Sequence, residues 1–571
     1  MTSQAPPFHK EQDVSLAGPS HKFMRQFTKS YLILFMICLT TILSACSSDM
    51  QSTQAGPGYG ILLGTIVEKE SNDPIPARVY ATGTNDSIYM AEECIEFDTP
   101  WMRSRIGHSG RHFNTIGNSF VVSLPEGVAT IRIERGKEYL PLEQEVRIKA
   151  GDTISVNFEM DRWIDMNQLG WFSGDQHIHR KMSDIEALLG SEDMNVAVVL
   201  SNWNDRASFL ENSLPYIKSA DLQGVISIDK SHLIYTLAHE IEGDPGAVFY
   251  YPLNKNDFPL EGMNRHQDSK HYITLSQETK KNGGFVEIEK PIMTEAPIQA
   301  ALSDVDFLGI ANNHMLYDGY LPEGKRINRT SLRDDYPEGE LGYTLFTFDL
   351  YYMYLNAGFR LMPTAGSASF PIPNPFGYNR IYANIEGTLS IENWFKAIKT
   401  GRSFVTNGPM LITSVNNHPK ENEIICNDED QIDLTCKIYS ASPIERLEIV
   451  KNGELISTIN NIELVDNQAL INTEVSIEES CWIVTRCFES RDDKNVRFAH
   501  SSPIFFKVKE QPFKLNQKSI NWFIDQTSEL IKQAESDTTL TRSLKIQKRE
   551  LYQQAKEFYI KLAALKYVDF K

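Results

Sequence analysis

The alternation of apolar and polar positions changes period along this chain, and each change marks a different kind of element. Over residues 59–160 apolar residues recur at every second position, the spacing of half-buried strands. Gly60-Ile-Leu-Leu-Gly-Thr-Ile-Val and Ala77-Arg78-Val79-Tyr80 are predicted strands, separated by the turn Asn72-Asp73-Pro74. Phe120 to Leu124 and Ala129 to Glu134 flank Pro125-Glu126-Gly127 as strand, turn and strand, and Thr153 to Met160 closes the set. From about Gly170 to Thr413 strands alternate with helices. The predicted strands include Val196 to Leu200, Gly224 to Ile228, Phe285 to Glu289, Val305 to Ala311 and Arg380 to Ala383. The predicted helices are a short one capped by Ser183, then Leu275 to Lys281, Tyr343 to Ala357 and Ser390 to Lys399. Such alternation predicts an α/β barrel or a doubly wound sheet. Short strands return over residues 414–509 and predict a second sandwich. Ile520, Phe523, Ile524 and Leu530, then Leu551, Ala555, Phe558, Tyr559 and Leu562, recur at helical spacing. They predict two amphipathic helices over residues 516–569 that pack on a neighbouring domain.

The N-terminus has a separate pattern. Lys22, Arg25 and Lys29 precede an apolar run from Tyr31 to Leu43, which ends in Leu43-Ser44-Ala45-Cys46. A basic start, a short apolar segment and small residues before a cut make a secretory signal. The run is too short for a comfortable membrane span. Leu-Ser-Ala-Cys resembles a bacterial lipobox, so Cys46 is the expected lipidation site. Residues 1–46 are then a lipoprotein signal peptide, with a true start at Met24 giving a signal of normal length, and residues 47–58 a polar tether. Ser47 after the Cys fits delivery to the outer membrane of a Gram-negative cell. The expected location is the cell envelope, lipid-anchored, on its periplasmic or surface face.

A chain of 571 residues exceeds one core and predicts several domains. A net charge of −19 argues against nucleic acid as a partner, because phosphate contacts need a basic face. Beyond Cys46 lie Cys94, Cys426, Cys436, Cys481 and Cys487. An oxidising compartment permits disulfides, and one or two bridges are expected among the four C-terminal cysteines, with connectivity open.

Candidate chemistry concentrates in Gly174-Asp175-Gln176-His177-Ile178-His179. Residues two apart on a strand project from one face, so His177 and His179 point the same way and can hold a divalent metal. Asp175 shares that face and could ligate or orient a ring. In a barrel, sites lie at the C-terminal strand ends. Polar clusters fall there: Asp175 to His179, Asn202 to Asp205, the pair Glu287 and Glu289, and Asn312 to His314. His239 is expected to face away from Glu240, and His500 to be a hydrogen-bonded core residue.

Taken together, Gly174-Asp-Gln-His-Ile-His179, Gly283-Gly-Phe-Val-Glu-Ile-Glu-Lys-Pro291, Asn312-Asn-His314, Thr364-Ala-Gly-Ser367, Gly377-Tyr-Asn-Arg-Ile-Tyr382 and Gly401-Arg-Ser-Phe-Val-Thr-Asn-Gly-Pro409 carry a resemblance. The chain resembles the CehA/McbA-like branch of the PHP (polymerase and histidinol phosphatase) metallohydrolases from roughly Gly60 to Leu565, domain order included. Arg497-Phe-Ala-His-Ser-Ser-Pro503 is similar to the family's pattern in its β domain. The resemblance implies a central α/β distorted TIM-like (PHP-type) barrel at 161–413, flanked by two β-sandwich domains at 59–160 and 414–510, with a C-terminal helical hairpin at 511–571. The first sandwich resembles carboxypeptidase regulatory-like modules, and no chemistry is assigned to it.

The resemblance further implies a metal-dependent hydrolase using a metal-bound water on an ester, carbamate, amide or phosphoester of a small-molecule or glycan-linked substrate. The implied ligands are His177, His179, Glu240 and His314, and the implied cofactor is Zn, Mn or Fe, as few as one ion. Lys290, Arg380 and Arg402 are implied anion or oxyanion binders. Apart from the resemblance, strand alternation sets Glu287 and Glu289 on one face, where the carboxylate pair could serve as base or ligand. The sequence departs from the family at three places. Gly243-Asp-Pro-Gly246 carries no His, Lys290-Pro291 stands where His-Pro is common, and Ala368-Ser369 follow Ser367 where Asp is common. Two readings therefore stand: a mononuclear hydrolase, for which three ligands and an open position suffice, or a catalytically silent surface lipoprotein that binds a ligand such as a glycan.

Overall fold

The structure is a computed structural model that describes residues 56–97, 110–203, 206–207, 223–243, 246–257, 269–321, 331–416, 423–427, 429–493 and 495–568. Cys46, the 1–46 signal, most of the 47–58 tether and Asp205 lie outside the described residues. Among the described residues no helix is long and apolar enough to cross a membrane. The elements described here belong to one unit, Pro57–Lys571.

The first module has two sheets. Tyr59–Glu68 runs between Ser119–Pro125, antiparallel, and Thr153–Met160, parallel. The other sheet orders Cys94–Phe97, His112–Thr115, Arg78–Thr82, Gly127–Glu134 and Leu142–Ile148. Strand alternation aims Leu62, Ile66, Val79, Val122, Ile131 and Phe158 into one shared core.

The α/β region starts at Trp171–Ile178. That strand is parallel to Val196–Trp203, which is parallel to Leu233–Gly243. A hairpin then turns the chain into Gly246–Tyr251, antiparallel, and next to it lies Phe285–Ile288. Phe307–Ala311 and Met362–Ala365 continue in parallel. Past the last of these, Ser369 forms a parallel bridge with Ile178, and Ala368 N donates to His177 O at 2.7 Å. The two ends of the strand series therefore meet at the end of the histidine strand. Helices Met182–Ser191, Ser269–Lys281, Ala296–Leu302, Glu340–Asn356 and Ile391–Lys399 connect the strands.

Two local expectations need correction. The strand predicted over Gly224 to Ile228 is shorter, Val225–Ser227, and is an exposed edge with Val225 41% exposed. The buried strand of that region is Leu233–Gly243, which the edge flanks. The cap of Met182–Ser191 is Lys181, and Ser183 lies inside the helix, donating to Asp184 instead.

The second sandwich is not separated from the α/β region by a seam at 413/414. Arg380–Asn384 pairs with Trp171–Ile178 on one side and Ser403–Thr406 on the other, and Ser403–Thr406 pairs with Phe498–Ser501. The shared ladder covers an edge that two separate domains would each leave open. The facing sheet is Met410–Val415, Asp430–Tyr439 and Gln468–Ile477. The expected disulfides do not form. Cys426, Cys436, Cys481 and Cys487 are free and sit in the sandwich core. They pack there as small apolar side chains, and burial pushes the thiols of Cys436 and Cys481 up to about 12.

The helices Gln517–Ser536 and Arg542–Leu565 start at side-chain caps from Asn516 and Thr541. Phe523 stacks on Tyr559 at 4.8 Å and meets Tyr354 at 4.7 Å, and Tyr559 OH donates to Pro297 O at 2.7 Å. The pair thus packs on the α/β region.

Candidate metal centre

The histidine strand delivers His177 and His179 to one rim of the sheet. Two strands over, Leu233–Gly243 runs in the same direction, and its register sets Trp203 beside Glu240. Parallel pairing brings like ends together, so the carboxylate from the third strand reaches the same rim. The His177 backbone is held by Asp175. Asp175 Oδ1 accepts from His177 N at 2.9 Å and Ser367 N at 3.1 Å, and Oδ2 accepts from Gly377 N at 3.2 Å. Burial pushes this carboxyl up to about 6, against the pull of those donors. In this structure Asp175 ties three backbone segments together.

His177, His179 and Glu240 are all buried, and their ligand atoms lie within 4.8 Å of one another. His177 Nε2 is 2.9 Å from His179 Nε2, and Glu240 Oε2 is 3.2 Å from His179 Nε2 and 3.6 Å from His177 Nε2. Bonds of roughly 2.0–2.1 Å put tetrahedral zinc ligands about 3.3 Å apart, so this triangle is the right size. Glu240 Oε2 has no hydrogen-bond partner. A buried carboxylate oxygen without a partner, aimed at two imidazole nitrogens, is what a bound cation would satisfy. Burial holds His177 well below the ordinary imidazole value, and the neutral ring is the ligating form. The donor set fits a divalent ion.

The surroundings shape the group. Glu289 Oε1 lies 3.4 Å from His177 Nδ1, on the side of the ring away from the triangle. Lys290 Nζ pairs with the same Glu289 oxygen. Burial pushes the Glu289 carboxyl up, and Lys290 draws it back. Phe249 meets the His177 ring edge at 4.7 Å, and Trp203 covers His179 at 5.4 Å. Trp203 is 39% exposed, so it forms the solvent side of the group.

The other candidates take different places. His314 is not within the three-residue group, although its electrostatic neighbours include Lys290 and His177. Its Nδ1 faces Leu321 O at 2.9 Å, and burial pushes it down to about 3. Arg380 donates to the carbonyls of Gly377, Glu192 and Asp193, none of which belongs to the group. Arg402 reaches Glu386 at 3.5 Å. Glu287 accepts from Thr364 Oγ1 at 2.6 Å and Tyr251 OH at 2.7 Å, and burial pushes it up to about 8. His239 Nδ1 lies 3.0 Å from Asn202 Nδ2. His500 is fully buried between Tyr352 OH at 2.8 Å and Ser501 O at 2.7 Å.

Sequence reasoning did not single out Phe249, Trp203 as a wall, or Gly366. Gly366 belongs to Thr364-Ala-Gly-Ser367, and nothing local marks it as the glycine against which His177 packs.

No family model and no curated protein matches this chain. Among solved structures it is similar to GBS52, the minor pilin of the Gram-positive pathogen Streptococcus agalactiae. That match has 17% identity over 19% of this chain and 46% of the pilin, with a TM-score of 0.14. A likeness at that score carries no argument about this fold.

Proposed function

We propose that this protein is an envelope-anchored, metal-dependent hydrolase of the CehA/McbA-like PHP type, with its barrel at 161–413 and its lipid anchor at Cys46. The reading rests on one observation: His177, His179 and Glu240, from two different strands, converge within 4.8 Å with an unpartnered carboxylate oxygen among them. The return of the strand series to Ile178 supports the barrel reading.

These three residues would hold the ion. When bound, a divalent metal supplies Lewis acidity toward the scissile group and lowers the pKa of water toward ~7. The chain's own residues do the rest. Glu289 faces His177 Nδ1, which favours the tautomer with its proton there and leaves Nε2 free to ligate. Lys290 offsets the Glu289 charge and offers an ammonium to an anionic oxygen of the substrate. Phe249 and Trp203 keep bulk water from two sides of the group. Lys290, at a position where the family commonly has His, supports a single ion. The substrate class is an ester, carbamate, amide or phosphoester.

The departures from the family pattern favour a second reading, a silent relative that binds a ligand such as a glycan. One experiment separates the two. Metal analysis of purified protein is expected to find about one equivalent of Zn, Mn or Fe per chain, lost in His177→Ala. A hydrolysis panel of the four bond types with each metal then reads activity. Metal-free protein in which His177→Ala changes neither activity nor stability sinks the hydrolase.

A further inference from the structure

A second polar concavity lies where the first module, the α/β region and the second sandwich meet. It is a cavity of about 180 Å³. One buried water needs roughly 10–15 Å³ by the same kind of measure, so it takes more than a solvent molecule. Six cationic side chains line it with three carboxylates, in a chain whose net charge is −19.

The carboxylates are already taken. Glu134 pairs with Arg78 and Arg132, Glu192 with Arg78 at 2.8 Å, and Glu489 with Arg491 at 3.3 Å. Lys137, Arg380 and Arg497 are left with neutral partners. Lys137 Nζ donates to Asn407 O at 2.7 Å, Arg497 Nη2 to Tyr317 O at 2.7 Å, and Arg380 to three carbonyls. Among the described residues none of the three makes a direct ion pair with a carboxylate; each donates to backbone carbonyls instead. Burial, and the guanidinium groups of Arg380 and Arg497, push the Lys137 ammonium well down. Glu489, Glu192 and Glu340 act on Lys137, Arg380 and Arg497, respectively, only without direct ion pairing. Three cations gathered in a partly enclosed space are thus stabilised when an anion joins them.

Tyr378 supplies the second observation. Lys137 and Arg497 each lie over its ring, 5.1 Å from the centroid. Tyr378 lines the same cavity, and its hydroxyl is buried and has no hydrogen-bond partner. A buried hydroxyl left open beside three cations that form no ion pair points to an acceptor near them. Three cations and a hydroxyl offer more donors than the two oxygens of a carboxylate take up, whereas a tetrahedral oxyanion presents three or four.

We propose that this cavity binds the phosphate or sulfate group of a small ligand. The site shares no side chain with the candidate metal centre. Asp175 connects the two through the Gly377 backbone, which also accepts from Arg380 Nε.

The test is calorimetric titration of the full chain with inorganic phosphate, inorganic sulfate and acetate at constant ionic strength. Phosphate or sulfate is expected to bind at one equivalent, and the tighter of the two names the group. Lys137→Met is expected to weaken binding about tenfold and Tyr378→Phe severalfold, while His177→Ala leaves it unchanged. Tyr378→Phe removes a hydroxyl that holds nothing, so it keeps the test valid should Lys137→Met fail to fold. No binding of either oxyanion, acetate binding as tightly as both, or an unchanged affinity in folded Tyr378→Phe and Lys137→Met would each overturn the proposal.

Discussion

Gly366 packs directly on His177: a methyl group at Gly366 would lie 2.4 Å from the His177 Cβ and 3.3 Å from its backbone nitrogen. The next residue, Ser367, donates its N–H to Asp175, which also holds the His177 N–H. Two residues further on, Ser369 bridges to Ile178, flanked by Ala368 at φ 48° and Phe370 at φ 100°. Non-glycine residues in that region cost about 1–3 kcal/mol each and collect at functional sites. The position of the first histidine is thus set by a turn far along the chain.

Gly366→Ala follows from that contact. The added methyl must push His177 or its own strand end aside. Metal affinity is expected to fall by about one order of magnitude or more, because a ligand displaced by half an ångström no longer meets its partners. Equilibrium dialysis with zinc reads the loss, and far-UV circular dichroism shows that the fold persists. Wild-type affinity in Gly366→Ala would remove the packing argument.

Glu289→Gln tests how His177 is oriented. It keeps the shape and removes the charge that faces Nδ1. Partners of this kind contribute about 10–100-fold in metal affinity. The expected result is a loss in that range with unchanged secondary structure. If Glu289→Gln binds metal like wild type, Glu289 does not orient the ring.

Arg78 tests how the first module is fastened. It is 5% exposed and pairs with Glu134 of its own module and with Glu192 of the α/β region, itself 1% exposed. Removing one partner of a buried pair leaves the other charge uncompensated, a cost of about 3–5 kcal/mol. Urea unfolding of Arg78→Met should show a loss of that size, and Arg78→Met with Glu192→Gln should recover part of it. A single variant within 1 kcal/mol of wild type, roughly the worth of an exposed pair, would contradict the buried assignment.

His500 gives a pH dependence with a definite sign. Its folded-state value is pushed down to about 3 by burial, with the Arg486 guanidinium adding to it. Above its ordinary value near 6.5 the ring is neutral in both states, and its contribution to stability is fully present. As pH falls below that value the unfolded chain takes up the proton and the folded chain does not. Stability is then lost at roughly 1.4 kcal/mol per pH unit until about pH 3. His500→Gln does not titrate. It is expected to lose roughly 2–3 kcal/mol less than wild type between pH 6.5 and 4.5, measured by chemical unfolding at each pH. Parallel curves for the two proteins would place the acid sensitivity elsewhere.

Much of this architecture is legible along the chain because its signals are local. Period-two apolar spacing marks Tyr59–Glu68 and Thr153–Met160, and helical spacing with Asn516 and Thr541 caps marks the two C-terminal helices. Strand geometry alone aims His177 and His179 from one face, since residues two apart must point alike. Other features depend on which distant segments pair. The register between Val196–Trp203 and Leu233–Gly243 brings Glu240 to the histidines, and a one-residue slip would turn it away. The roles of Asp175 and Gly366 arise from contacts with residues far off in sequence, as does the ladder that carries the α/β sheet into the sandwich. The four C-terminal cysteines read as bridge partners by number and compartment, but all four are free thiols buried in the sandwich core. Local chemistry sets what each segment can be. Long-range pairing decides which side chains meet, because hydrogen-bonded registers and close packing are satisfied only by the whole assembled chain.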